Sequence, residues 1–223
     1  MSDSSVPTSA PSRAELLGAA ESLGVDLDPT QATSLLRFLD LLQRWNGVYN
    51  LTAVRDPRAM FTHHLLDCLA AVRPLRRELQ GRRASHVSDV GSGGGLPGAV
   101  LAVALPEVRV TCIDSVAKKV AFVRQVAAEL RLTNLEALHA RVETLTTGNA
   151  DVVTSRAFST LSDFIDATRG LRRADGVWMA MKGRIPEDEI AAVPSDTRVF
   201  HVEPIEIPGL DAQRCLVWMQ PAP

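Results

Sequence analysis

The chain has 223 residues, 46% of them hydrophobic and 22% charged, with 24 basic residues against 26 acidic and a formal net charge of −2. That is enough apolar material for one domain with a core. It excludes a disordered polyelectrolyte and a histone-like protein whose whole surface binds nucleic acid, while leaving room for a local basic patch. Cys68, Cys112 and Cys215 lie far apart. They form neither a disulfide framework nor paired zinc-finger spacing, which points to a reducing cytoplasm. The longest apolar stretch, residues 98–105, is about half the length of a membrane span.

In chain order, residues 1–12 read as a disordered tail rich in Ser and Pro, without a secretory signal. Residues 13–83 read as a helical extension. A short helix is expected over Ala14–Leu23 and a longer one from Pro29 to Trp45. Its Leu35, Phe38, Leu39, Leu42 and Trp45 fall on one apolar stripe. A third helix should cover Pro57–Val72, before the polar connector at 80–83. From residue 84 to 223 the texture alternates. Strands are expected at His86–Val90, Val108–Ile113, Leu135–His139, Asp151–Thr154 and Val177–Met181, with two more at Thr197–His201 and Arg214–Met219. Helices are expected at Pro97–Ala104, Ala117–Leu130 and Leu161–Leu171. Strands alternating with helices give an α/β fold, a mainly parallel sheet covered on both faces, of the nucleotide-cofactor kind.

The most informative stretch is Asp89-Val90-Gly91-Ser92-Gly93-Gly94-Gly95-Leu96-Pro97-Gly98, where the first strand gives way to a helix. Glycine lets a backbone turn sharply there and approach a ligand closely. The second strand then ends in Asp114, the position that usually grips a ribose diol. Two cofactor classes fit. Gly93 to Gly98 matches the dinucleotide pattern G-x-G-x-x-G, and Gly91 to Gly95 matches the G-x-G-x-G of S-adenosylmethionine enzymes. The second is favoured. Gly91 follows the strand directly, Asp89 is placed to hold the methionine amino group, and the chain has no room for a second nucleotide-binding half. Cofactor contacts are therefore expected from Asp89, Gly91, Gly93, Gly95 and Asp114. A small dinucleotide-dependent oxidoreductase is the rival enzyme.

Further segments make the sequence specific: Trp45-Asn46 with Asn50-Leu51-Thr52, His63-His64-Leu65-Leu66-Asp67, Asp114-Ser115 with Lys118-Lys119 and Phe122-Val123-Arg124, Arg141-Val142-Glu143, Ser155-Arg156-Ala157-Phe158 and Met181-Lys182-Gly183. With the glycine loop, they resemble the glucose-inhibited division B family, methyltransferases that modify a guanine at N7 in 16S ribosomal RNA. The resemblance covers about residues 35–219. It implies a class I methyltransferase fold, Rossmann-like with seven strands, behind an N-terminal helical extension, and S-adenosylmethionine as cofactor. It implies cofactor contacts at Gly91, Leu96, Val142, Glu143 and Arg156. The partner implied is 16S rRNA in the small ribosomal subunit or its precursor, with no metal; no membrane, no DNA and a monomeric enzyme are expected beside it, and a ribosome-assembly factor that kept the cofactor pocket without catalysis is the rival from another class. Two positions depart from the family pattern: Gly94, where Ala or Pro is usual, and Cys68, where Ser is common.

Guanine N7 carries a lone pair and no proton, so methyl transfer to it needs positioning and charge management rather than a general base. Compatible with this, the chain lacks the N/D-P-P-Y/F motif of amino-group methylation, and none of its cysteines follows a proline. Arg156, after the fourth strand, is the first candidate for the active site, able to touch the cofactor, stack on a base or bind phosphate. Lys182, ending the fifth strand on the same edge, is expected to bind phosphate. His64 and Asp67 are expected to be carried toward the pocket by their helix. RNA binding would fall to local clusters: Arg73, Arg76 and Arg77; Arg82 and Arg83; Lys118, Lys119 and Arg124; Arg169, Arg172 and Arg173.

Overall fold

A computed structural model describes residues 10–82 and 84–223. The expected tail at 1–12 therefore falls, up to residue 9, outside the described residues, as does Arg83. Helix α1, Arg13–Ser22, starts where Ser12 and Glu15 form a capping box. Helix α2, Pro29–Tyr49, starts on a second box from Asp28 and Gln31, with Pro29 in the first turn, where its missing N–H costs nothing. It runs a turn beyond the expected end at Trp45 and stops at Asn50, whose φ of 50° closes the helix.

The expected helix over 57–72 is broken instead. Asp56 caps a short α3, Pro57–Met60, followed by a π-helical turn, Phe61–Leu66, a single α turn, α4, Asp67–Leu69, and after a break α5, Val72–Glu78. A π turn inserts one residue and so rotates the side chains that follow it out of α register; such turns cluster at functional sites. Its seat is built by the preceding loop. The Asn46 amide donates to Val54 O at 3.1 Å, and the Asn46 side-chain oxygen accepts from Thr52 N at 2.8 Å. The Thr52 hydroxyl meets His64 Nε2 at 2.7 Å.

The remaining strands and helices alternate. They are β1 His86–Val90, α6 Gly98–Ala104, β2 Arg109–Asp114, α7 Ala117–Glu129, β3 Leu135–His139, β4 Ala150–Ser155, α8 Leu161–Thr168, β5 Arg172–Lys182, α9 Glu187–Ala191, β6 Thr197–Ile205 and β7 Arg214–Pro221. The expected α/β class holds, with a seven-stranded sheet ordered β3-β2-β1-β4-β5-β7-β6. β1 to β5 pair in parallel, and β7 enters antiparallel between β5 and β6. The crossover direction reverses between β1 and β4, the place where open α/β sheets bind ligands at the carboxyl ends of their strands. Helix α9 is the element the periodicity does not announce, since it is short and buries none of its residues.

One face of the sheet is covered by α8, with Phe164, Ile165 and Trp178 among its buried side chains. The other is covered by α6, α7 and the N-terminal helices, and there Leu16, Leu42, Leu65, Leu101 and Leu216 belong to one continuous apolar cluster. Trp45 and Phe38 of α2 pack on Phe122 of α7, ring centroids 5.4 and 6.3 Å apart. α2 also reaches the glycine loop. A Cβ placed on Gly94 would come within 2.8 Å of Leu42 Cδ1, so the loop lies directly on this helix. Among the described residues, no helix is long and apolar enough to cross a membrane.

Candidate active site

The carboxyl ends of β1, β2 and β4 open into a cleft of about 380 Å³ lined by Val90, Gly91, Ile113, Asp114, Val142 and Phe158, among others. Its shape depends on Gly91. This residue turns with φ of 67°, and a Cβ on it would stand 2.7 Å from Ala157 Cβ, so the loops after β1 and β4 meet with no room for a side chain. Asp114, the last residue of β2, spends its carboxylate on the loops: Oδ2 accepts from Gly93 N at 3.0 Å, and Oδ1 accepts from Val116 N at 2.8 Å. Val142 and Glu143 come from a 3₁₀ turn after β3, and both line the cleft. Lys119 and Arg141 stand at its rim, Lys119 Nζ 3.7 Å from Asp114 Oδ2.

Asp89 lies beneath the loop rather than in the cleft wall. It is fully buried, and Oδ2 accepts from Gly98 N at 2.7 Å. Oδ1 has no partner among the described residues, an unsatisfied buried oxygen of the kind that a ligand completes. Burial pushes its carboxyl up to about 7. Gly93 acts through its backbone N–H on Asp114, while Gly95 and Leu96 are held in the loop by Ser92 O and the core.

Arg156 does not line this cleft. It lines a neighbouring hollow of about 240 Å³, together with His63, Asp67, Lys182, Arg214 and residues of β5 to β7. There Asp67 receives two arginines. Arg156 donates to Oδ2 at 2.8 Å, and Arg214 Nε donates to Oδ1 at 2.9 Å. The same Arg156 nitrogen is 3.3 Å from Cys68 Sγ, and burial pushes that thiol to about 12, so it stays protonated. Lys182 donates to Glu189 Oε2 at 2.7 Å and to Ser159 O at 3.1 Å. It thus braces the loop after β4, which leaves it less available to phosphate than its place at the end of β5 implies. His64 differs from expectation. Tied to Thr52 and the His63 carbonyl, it lines neither hollow, and burial, then Arg156, lowers its pKa. The π turn instead brings His63 beside Asp67.

Sequence reasoning misses Arg214, and it gives Phe158 and Lys119 no place on the cofactor cleft that they line. Arg214 opens a strand 147 positions from Asp67, and no local spacing signals that meeting. Most of the expected basic clusters are spent inside the chain. Arg77 pairs with Glu203, Arg82 and Arg173 with Asp151, and Arg169 with Asp196. Arg73, Arg76, Arg77 and Arg82 line a cleft beside the starts of β1 and β2, at the sheet edge away from the cofactor loop.

A family model described as rRNA small subunit methyltransferase G matches residues 31–217. The chain belongs to the rRNA small subunit methyltransferase G family. Among curated relatives, a "Ribosomal RNA small subunit methyltransferase G" of Acidovorax ebreus is 57% identical over 209 residues, covering 91% of this chain and 92% of its own. One of the same name from Methylibium petroleiphilum is 56% identical over 200 residues, covering 90% of each. Among solved structures, a SAM-dependent methyltransferase from Aquifex aeolicus is similar in fold, with a TM-score of 0.51 and 18% identity over 74% of this chain and 93% of its own. S-adenosylmethionine is the cofactor of this methyltransferase G family, and the residues present fit it. The cleft has the size of a small-molecule site, apolar walls at Ile113 and Val142, carboxylates at Asp114 and Glu143, and the unpartnered Asp89 oxygen below.

Proposed function

We propose that the chain transfers a methyl group from S-adenosylmethionine to N7 of a guanine in 16S rRNA, acting as a cytoplasmic monomer on the small ribosomal subunit or its precursor. The observation that carries this reading is the pair of adjoining hollows at the switch point of the sheet, one cofactor-sized and one ringed by Asp67, Arg156, Arg214 and Lys182. Bound S-adenosylmethionine supplies an electrophilic methyl, which the N7 lone pair takes while sulfur keeps the bonding electrons. Gly91 would admit the cofactor against the loop, Asp114 and Glu143 would hold its sugar and base end, Val142 would pack on the adenine, and Asp89 would face its amino group. The loop Arg156 to Phe158 is shared by both hollows, so it sets the distance and angle between donor and base. No side chain has to remove a proton, and Asp67 and Lys182 of the second hollow are already engaged, Asp67 by two guanidiniums and Lys182 by Glu189. Arg141, Lys118 and Arg184 are exposed cations that would meet RNA phosphates.

The deciding experiment incubates the purified chain with methyl-labelled S-adenosylmethionine and small subunits lacking the mark, then digests the RNA to nucleosides. Label in 7-methylguanosine is the expected result. Cofactor binding with no label in RNA would favour an assembly factor, and binding of NADH in place of S-adenosylmethionine would favour the oxidoreductase.

A further inference from the structure

Asp67 contributes the carboxylate that lines the second hollow, among His63, Arg156, Lys182 and Arg214. It is buried, and each of its oxygens accepts from one arginine. A carboxylate offers about four acceptor sites, so about two are left for a ligand. The hollow adjoins the cofactor cleft through one loop, since Arg156 lines the hollow and Ala157 and Phe158 line the cleft. A guanine seated in the hollow with N7 turned toward the cleft turns its opposite edge, N1–H and the N2 amino group, away from the cleft and toward the hollow's own lining.

We propose that Asp67 is the specificity-determining residue for guanine, accepting N1–H and N2–H from the Watson–Crick edge, with Arg156 and Arg214 as the positioning residues that hold its carboxylate. This rests on the methyltransferase reading above and deepens it. Guanine presents two adjacent donors on that edge. Adenine presents a lone pair at N1, which a carboxylate repels. The same contact serves the chemistry. When N7 is methylated the purine becomes cationic and N1–H becomes a stronger donor, so a fixed carboxylate there stabilises the product-like charge. The two arginines hold the carboxylate in place, and they reach it from the end of β4 and the start of β7.

The full chain is titrated with guanosine, inosine and adenosine 5′-monophosphates and followed by chemical shifts of the methyl and amide groups around the hollow. Guanosine monophosphate should bind roughly tenfold tighter than adenosine monophosphate, with inosine monophosphate, which lacks the N2 amine, between them. Asp67→Asn should bring the guanine nucleotide down to the adenine level and leave adenosine monophosphate unchanged. Equal affinity of the unaltered chain for guanosine and adenosine monophosphates overturns the proposal, even if Asp67→Asn fails to fold. A folded Asp67→Asn chain that keeps its guanine preference overturns it too. Calorimetry with S-adenosylhomocysteine tests the underlying reading separately: guanine preference without cofactor binding would leave the base pocket standing and remove the methyl transfer.

Discussion

Two residues at the glycine loop carry opposite kinds of constraint. Gly91 is constrained by space and by φ together, so Gly91→Ala should meet Ala157 and strain the turn. We expect a loss of stability of about 1–3 kcal/mol and at least a tenfold loss of cofactor affinity, read by thermal melts and calorimetry. Unchanged cofactor affinity would show that the loops after β1 and β4 do not frame the site. Asp89 is constrained by charge. Its carboxyl is raised from 3.8 to about 7 by burial, so between those values the folded chain keeps a proton that the unfolded chain has released. Stability from this group is full below about pH 4 and falls as pH rises to about 7. The melting temperature of the ligand-free chain should decline over that window, and Asp89→Asn should flatten the decline. Saturating S-adenosylmethionine should also flatten it, if the amino group meets the free Oδ1 and favours the ionised carboxylate. The Asp89 and Gly91 positions were legible in the sequence because a strand end, a glycine run and an acid lie within ten residues. The partners of Arg156 were not, since an arginine after β4 says nothing about an acid in an N-terminal helix.

At the scale of elements, α2 explains why the cofactor loop is more than a loop. Leu42 is fully buried and stands against the position of Gly94, so helix and loop set each other's place. Leu42→Ala should cost about 2–5 kcal/mol in denaturant melts through the cavity it leaves. It should also weaken cofactor binding, although Leu42 does not line the cleft; a stability loss with unchanged cofactor affinity would uncouple the two. The apolar stripe of α2 was readable from its spacing, as was the alternation of strands and helices that makes a mainly parallel sheet. The π turn was not. Phe61 to Leu66 has an ordinary helical composition, and the Asn46 and Thr52 bracket that meets it at His64 is built from residues on the other side of a turn. That bracket is also why His64, read as a pocket residue, serves as a structural one.

At the scale of the whole molecule, the boundary near residue 84 separates two textures but not two cores. Leu16, Leu35, Leu42 and Leu65 share one apolar cluster with Leu101, Val123 and Leu216. A chain beginning at residue 85 would expose that face, and we expect it to aggregate or stay unfolded by circular dichroism and gel filtration. Cooperative melting of such a fragment would contradict the single core. The near-neutral charge was legible from composition. How it is distributed was not: Arg77, Arg82, Arg169 and Arg173 look like a basic coat in the sequence and are locked to acids in the fold.

The antiparallel entry of β7 between β5 and β6 has a consequence for the order in which the enzyme acquires its abilities. Everything that frames the donor is in hand by Phe158, whereas the guanidinium that steadies Asp67 from the other side arrives only with Arg214. A nascent chain halted before that last strand would hold every residue lining the cofactor-sized cleft but lack both the second arginine on Asp67 and the strand that carries Leu216 and Trp218 into the core, so on the reading proposed above neither capture of the methyl source nor choice of target is complete until that strand is in place.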